Sequence, residues 1–198
     1  MTTHLEEHLR FIDRRQFNTG ILLTMLVSGC SDPGADFLPI PRPKTGTYRL
    51  GLGDEVRIFV FGEERLNADY KLSDTGMIVF PLLGNVPAID KTTAEVEKAI
   101  AATLKSQGML SDAKVTVQVR TYRPFYITGQ IAKPGEYAYQ PGITVLAASA
   151  VAGGFTPRAI DQYVAIQRLV GDKSVVGRAD QAEPVLPGDI ITVFERRF

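Results

Sequence analysis

The chain has one cysteine and two histidines, and both histidines, His4 and His8, lie ahead of an apolar run at residues 20–29. A cut after that run leaves a mature chain without histidine and with Cys30 as its lone thiol. This scarcity excludes whole classes of chemistry. A Ser-His-Asp or Cys-His nucleophile, a histidine-based zinc site and an intrachain disulfide cannot be assembled from what is left. Any catalysis would fall to carboxylates, Lys, Tyr or Ser. Excess charge is missing too: 22 Lys and Arg balance 22 Asp and Glu. No basic stripe appears, so nucleic acid is not an expected partner. Beyond residue 30 no apolar stretch is long enough to cross a bilayer as a helix, and the predicted strands are too few and too two-sided for a lipid-facing barrel. Asp and Glu occur singly in loops, without the alternating oxygen ligands of a calcium loop, so neither a metal nor a cofactor is expected.

What is present begins with an address. Residues 1–29 combine Arg14 and Arg15 with the apolar run Gly20–Gly29, which is too short for a permanent span, and end in Val27-Ser28-Gly29 directly before Cys30. This resembles a bacterial lipoprotein signal, in which the cysteine thiol takes a diacylglyceryl group. The competing reading, a free buried cysteine at a domain edge, finds no amphipathic element around Cys30 to bury it. Arg14-Arg15-Gln16-Phe17 resembles the twin-arginine export motif, although Asp13 and Asn18 depart from its usual neighbours. A general secretory signal with a positive start is an equal alternative.

After the signal, residues 30–46 are rich in Pro and Gly and read as an extended tether. Val56, Ile58 and Val60 alternate with Arg57 and Phe59, which predicts a strand. Lys71–Ser73 and Met77–Phe80 flank Asp74-Thr75-Gly76, which predicts a hairpin. Thr92 with Glu95 matches a capping box, Val96, Ile100 and Leu104 recur on one face, Lys105 sits in the last turn and Gly108 can end the helix. Val115, Val117 and Val119 predict a further strand. The second half starts at Phe125–Thr128, turns at Lys133-Pro134-Gly135 with the residues of a type II turn, and resumes at Glu136–Tyr139. Thr144 can cap a short helix stopped by Gly153-Gly154; Val145, Leu146, Ala148 and Val151 make it apolar on every side, so it is expected to be buried. Strands at 163–170, 174–178 and 190–194 complete an α+β fold. The turn Gly53-Asp54 recurs as Gly188-Asp189 before a similar strand; a duplicated unit and a merely favourable turn dipeptide explain it equally well.

Several segments together resemble the outer-membrane polysaccharide export lipoproteins. They are Tyr48-Arg-Leu-Gly51-Leu-Gly53-Asp54-Glu-Val56, Leu72–Gly76 and Phe80–Val86, then Ile127-Thr-Gly129-Gln-Ile131-Ala-Lys133-Pro134-Gly135-Glu-Tyr137, Thr144–Thr156 and Leu186–Val193. The resemblance implies an export domain at 47–122 with hairpins and one capped helix, followed by a soluble-ligand-binding β-grasp domain at 123–198. It implies no enzyme. It implies instead a ring or adaptor on the periplasmic side of the outer membrane, anchored through Cys30, for capsular or extracellular polysaccharide. The implied partners are the polysaccharide chain, further copies of this chain, an inner-membrane chain-length regulator and a separate outer-membrane pore protein. That last partner is expected because the chain stops after its last predicted strand, where larger members carry a pore helix. The alternative is a carbohydrate-binding or sensing lipoprotein that forms no conduit.

Of the motif residues, Gly53, Asp54, Gly76, Gly129, Pro134, Gly135, Gly153, Gly154, Gly188 and Asp189 read as architecture. Gly153 is expected to end the short helix, and Gly154 to admit a neighbouring backbone. Lys133, Tyr137, Tyr139 and Arg158 are the candidates for contact with sugar or a neighbouring subunit, because aromatic faces and charged groups suit both. Carboxylate pairs for glycoside cleavage are poor: on a strand, adjacent Glu63 and Glu64 point to opposite faces, and Asp69 with Asp74 is the other pair at hand.

Overall fold

The first strand, β1 (Glu55–Val60), forms where the sequence alternates, and Val56, Ile58 and Val60 are fully buried. The computed structural model to which it belongs describes residues 33–42, 48–110, 112–171 and 173–197. The signal with Arg14 and Arg15, and Cys30, lie outside the described residues. β2 (Ala68–Lys71) pairs antiparallel with β1, Arg57 opposite Asp69. β3 (Met77–Phe80) and β4 (Gly84–Pro87) form a separate hairpin. Helix α1 (Thr93–Ser106) starts on a complete capping box, with the Glu95 amide donating to Thr92 Oγ1 and the Thr92 amide to Glu95 Oε2. β5 (Val115–Thr121) closes the sheet in the order β2-β1-β5. Val96, Ile100 and Leu104 of α1 bury against Val56, Ile58, Val60 and Val117 of this sheet and Ile78, Phe80 and Val86 of the hairpin. The edge of β5 is partly occupied: the Val117 amide donates to Glu97 Oε1 on α1, 2.8 Å.

The expected hairpin across Asp74-Thr75-Gly76 is a turn only. Gly76 donates to the Ser73 carbonyl and Ser73 to Met77, but the strands on either side pair elsewhere, β2 with β1 and β3 with β4. The cause is Leu72, which is buried and whose amide goes to the Asp54 carbonyl, so the chain before the turn is already committed to β1.

A second core forms around β6 (Phe125–Gly129), β7 (Gly135–Tyr137), helix α2 (Val145–Val151), β8 (Tyr163–Val170), β9 (Lys173–Asp180) and β10 (Ile190–Val193). The sheet order is β7-β6-β10-β8-β9, with β6 and β10 parallel and the other pairs antiparallel. A parallel central pair flanked by two antiparallel arms, with a helix across one face, is the β-grasp arrangement. Ile127, Ile191 and Ile166 form one row of that face, and Val145, Ala148 and Ala152 pack onto it. The described residues thus form an α+β fold, two helices against ten strands.

Three local expectations change here. α2 is capped by Thr144 as predicted, but Leu146 is 51 % and Val151 63 % exposed; a helix lying on one sheet can cover only one of its sides. Pro134-Gly135 is not a type II turn, because Gly135, at φ 158°, is already the first residue of β7, opposite Ile127. The chain leaves β6 earlier, where Gly129 takes φ 87°. Residues 33–42, within the expected tether, begin with a turn at 33–36 and are then docked: Ile40 donates to the Arg178 carbonyl and Arg178 to that of Leu38, and Ile40 itself is buried in the second core. Segment 38–40 therefore lies along β9, which would otherwise be a bare edge.

Candidate functional site

The recurring Gly-Asp dipeptides are the same device built twice. In Gly51-Leu-Gly53-Asp54 the Asp54 amide donates to the Gly51 carbonyl at 3.1 Å, and in Leu186-Pro-Gly188-Asp189 the Asp189 amide donates to Leu186 at 3.1 Å. Gly53 and Gly188 sit at φ 90° and 85°, the third position of a type II turn. The Pro-Gly pair that makes this turn is therefore Pro187-Gly188. Each aspartate then folds back on its own turn, Asp54 Oδ2 accepting from the Gly51 amide and Asp189 Oδ2 from the Leu186 amide, both 2.7 Å. Both side chains are buried, and buried carboxylates require further donors.

Those donors differ. Asp54 accepts from the Tyr48 hydroxyl at 2.6 Å and from the Arg123 amide at 2.8 Å, with Arg123 Nη1 3.5 Å away. Burial, and then the bond to Asp54, push the Tyr48 hydroxyl well above the usual phenol range. Asp189 accepts a two-pronged pair from Arg168, Nε at 3.0 Å and Nη2 at 2.7 Å. The remaining Arg168 bonds reach the carbonyls of Pro41 and Pro184, at 3.0 and 2.9 Å, so the same guanidinium also holds the docked N-terminal segment.

Arg123 joins the two turns. Its amide is on Asp54, its Nε donates to the Pro187 carbonyl at 3.1 Å, its Nη1 to Tyr48 Oη at 3.2 Å, and the Gly188 amide goes to the adjacent Pro124 carbonyl. A Cβ on Gly51 would lie 1.8 Å from Arg123 Nη1. The absence of a side chain there makes room for the guanidinium. Tyr122 stacks edge-on between Tyr48, at 4.9 Å, and Tyr139, at 5.3 Å, which carries the joint from the first core to the second.

A second cluster gathers the other candidate residues at one end of the β-grasp sheet. The loop from Gly129 to Pro134 lies against the end of α2: the Ala132 amide donates to Gly154 and the Lys133 amide to Ala152. A Cβ on Gly129 would stand 2.1 Å from the Val193 carbonyl oxygen, so only glycine admits that backbone. Gly153, at φ 87°, ends α2. Gly154 shares that φ, but a Cβ there would meet no atom within 4 Å, so its need for glycine is conformational and not a close approach. The Tyr137 hydroxyl donates to the Lys133 carbonyl, and its ring stacks on Phe125 at 5.9 Å. Arg158 pairs with Glu195, which Gln130 also reaches. Thus Lys133, Tyr137 and Arg158 belong to this loop cluster, whereas Tyr139 belongs to the joint. Gly76 stands apart from both, in the turn before β3. Sequence reasoning misses Arg123 and Arg168. The only signal is indirect: two aspartates at strand entries, each behind a left-handed glycine, in need of partners.

The chain is similar to known proteins. Residues 42–120, the first core up to the joint, match the family model described as polysaccharide biosynthesis/export protein. The chain is also 33 % identical over 145 residues to the exopolysaccharide production protein ExoF of Rhizobium meliloti (strain 1021). That alignment takes in 68 % of this chain and 32 % of the relative, so the chain matches about a third of the relative's length. On the family match and this kinship together, the chain belongs to the polysaccharide biosynthesis/export family.

Proposed function

We propose that the chain is a non-enzymatic component of exopolysaccharide or capsule export: a lipoprotein held by Cys30 to the periplasmic side of the outer membrane, acting as a ring or adaptor past which the polymer moves. The observation that carries this reading is the relationship to an exopolysaccharide production protein over 68 % of the chain. The lipoprotein pattern before Cys30 suggests the location, and no helix among the described residues is long and apolar enough to cross a membrane. Two or three acyl chains on Cys30 would then supply the hold that one chain gives only marginally. Flux would be driven elsewhere, with a chain-length regulator of the inner membrane and a separate outer-membrane pore as partners.

A closing ring requires two different faces of one subunit to be complementary. The Arg123 joint suits that requirement, because fixing one core against the other fixes the angle between faces that each core presents. Imaging of the detergent-extracted, lipidated protein tests the proposal. Closed rings with a lumen are expected; a monomer that binds saccharide would turn the reading towards a sensing or retaining lipoprotein.

A further inference from the structure

The end of β1 and the turn that follows it expose two phenylalanines where polar groups ordinarily meet solvent. Phe59, in β1, is 40 % exposed on the face opposite the buried Ile58 and Val60, and Phe61, in the turn directly after β1, is 82 % exposed. Phe59 stands opposite Thr116 of β5, and the Phe61 amide donates to the Lys114 carbonyl, so the two residues follow one another where the central strand β1 leaves the sheet. They line an open groove of about 980 Å³ whose other walls include Glu64, Arg65, Lys114 and Thr116.

We propose that this groove binds a segment of saccharide chain, with successive sugar rings on Phe61 and Phe59 and their hydroxyls met by Glu64, Arg65, Lys114 and Thr116. This rests on the export reading above and names the surface the polymer touches. A pyranose has an apolar face of C–H groups and a rim of hydroxyls. The electron-rich face of phenylalanine attracts the first, and side chains that between them donate and accept bind the second. Phe59, Phe61 and Arg65 are of types enriched at protein interfaces, but Glu64 and Lys114 beside them are of types depleted there and suit a hydroxyl-rich ligand, so a second protein is the competing occupant that the test separates. An open groove also suits a polymer that must be released as it moves, in contrast to an enclosed pocket that buries most of a small ligand.

Calorimetric titration of the full chain, purified in detergent, with size-fractionated oligosaccharides from partial hydrolysis of the producing strain's exopolysaccharide tests the site. Phe61→Ala is expected to weaken binding by about tenfold, the effect of losing one covered aromatic side chain. Phe59→Ala weakens it less, and Tyr126→Ala, on the solvent face of the other sheet, leaves it unchanged. Phe61 is 82 % exposed, so its removal is expected to leave the unfolding transition in place, which separates lost binding from lost folding. Wild-type affinity in Phe61→Ala, no binding by the wild-type chain, or a variant that loses self-association instead of saccharide affinity would each overturn the site. Secretion distinguishes this inference from the reading beneath it. If gene deletion stops secretion while Phe61→Ala restores it fully, the groove alone is refuted; if the deletion strain secretes normally, the export reading fails.

Discussion

Asp54 and Asp189 occupy the same turn in different cores, yet one is satisfied by a phenol and a backbone amide and the other by a fully enclosed guanidinium. The Asp189–Arg168 pair has side chains 1 % and 3 % exposed, whereas Arg123 beside Asp54 keeps 29 %. A turn that only needs to start a strand requires neither arrangement. The difference follows from what each turn must hold. Asp189 and Arg168 fasten the docked segment 33–42 to the second core, through Pro41, and Asp54 with Tyr48 and Arg123 fastens the first core to the second. Similar local sequence thus serves two separate long-range connections, and the donor chosen decides how much each connection contributes.

Breaking the enclosed pair has the largest expected effect. Arg168→Ala leaves Asp189 buried with its turn amide but without its cation, and should cost about 3–5 kcal/mol in denaturant unfolding; a loss no greater than that of a surface substitution contradicts the assignment. Arg123→Ala should cost less, about 2–3 kcal/mol, because water can reach part of the vacated site and the residue 123 amide still serves Asp54. Its sharper readout is hydrogen exchange: amides of β1 and β6 are expected to open together in the wild-type chain and at different free energies in the variant. Tyr48→Phe should have the smallest effect, about 1–2 kcal/mol at neutral pH. It also carries a pH signature. Because folding raises the Tyr48 hydroxyl, its contribution is fully present below about pH 10 and is lost as pH rises beyond it. Alkaline destabilisation should therefore be weaker in Tyr48→Phe than in the wild-type chain, and identical alkaline limbs would count against a buried phenol at the joint.

Local pattern makes much of the fold legible. The alternation of Val56, Ile58 and Val60, the capping box at Thr92 and Glu95, and the Thr144 cap each specify an element through neighbours a few residues away, and each element is present. Partner choice is not legible in this way. Nothing near Asp74-Thr75-Gly76 reveals that Leu72 is claimed by Asp54, because that choice is made by burial across the core. The same reason hides the docked segment, where Pro-rich sequence reads as tether although Ile40 fills the second core against Gly177, whose missing side chain leaves the space. It also hides Arg123 and Arg168, since a buried arginine is indistinguishable in sequence from a solvated one. Motif alone picks out Lys133, Tyr137 and Arg158, which do share a loop cluster, but Tyr139 goes to the joint through its contact with Tyr122.

Secretion itself tests the export role most directly. In the producing strain, removing the gene is expected to abolish release of the polysaccharide, and supplying the wild-type chain is expected to restore it. Undiminished secretion in the deleted strain would contradict the account.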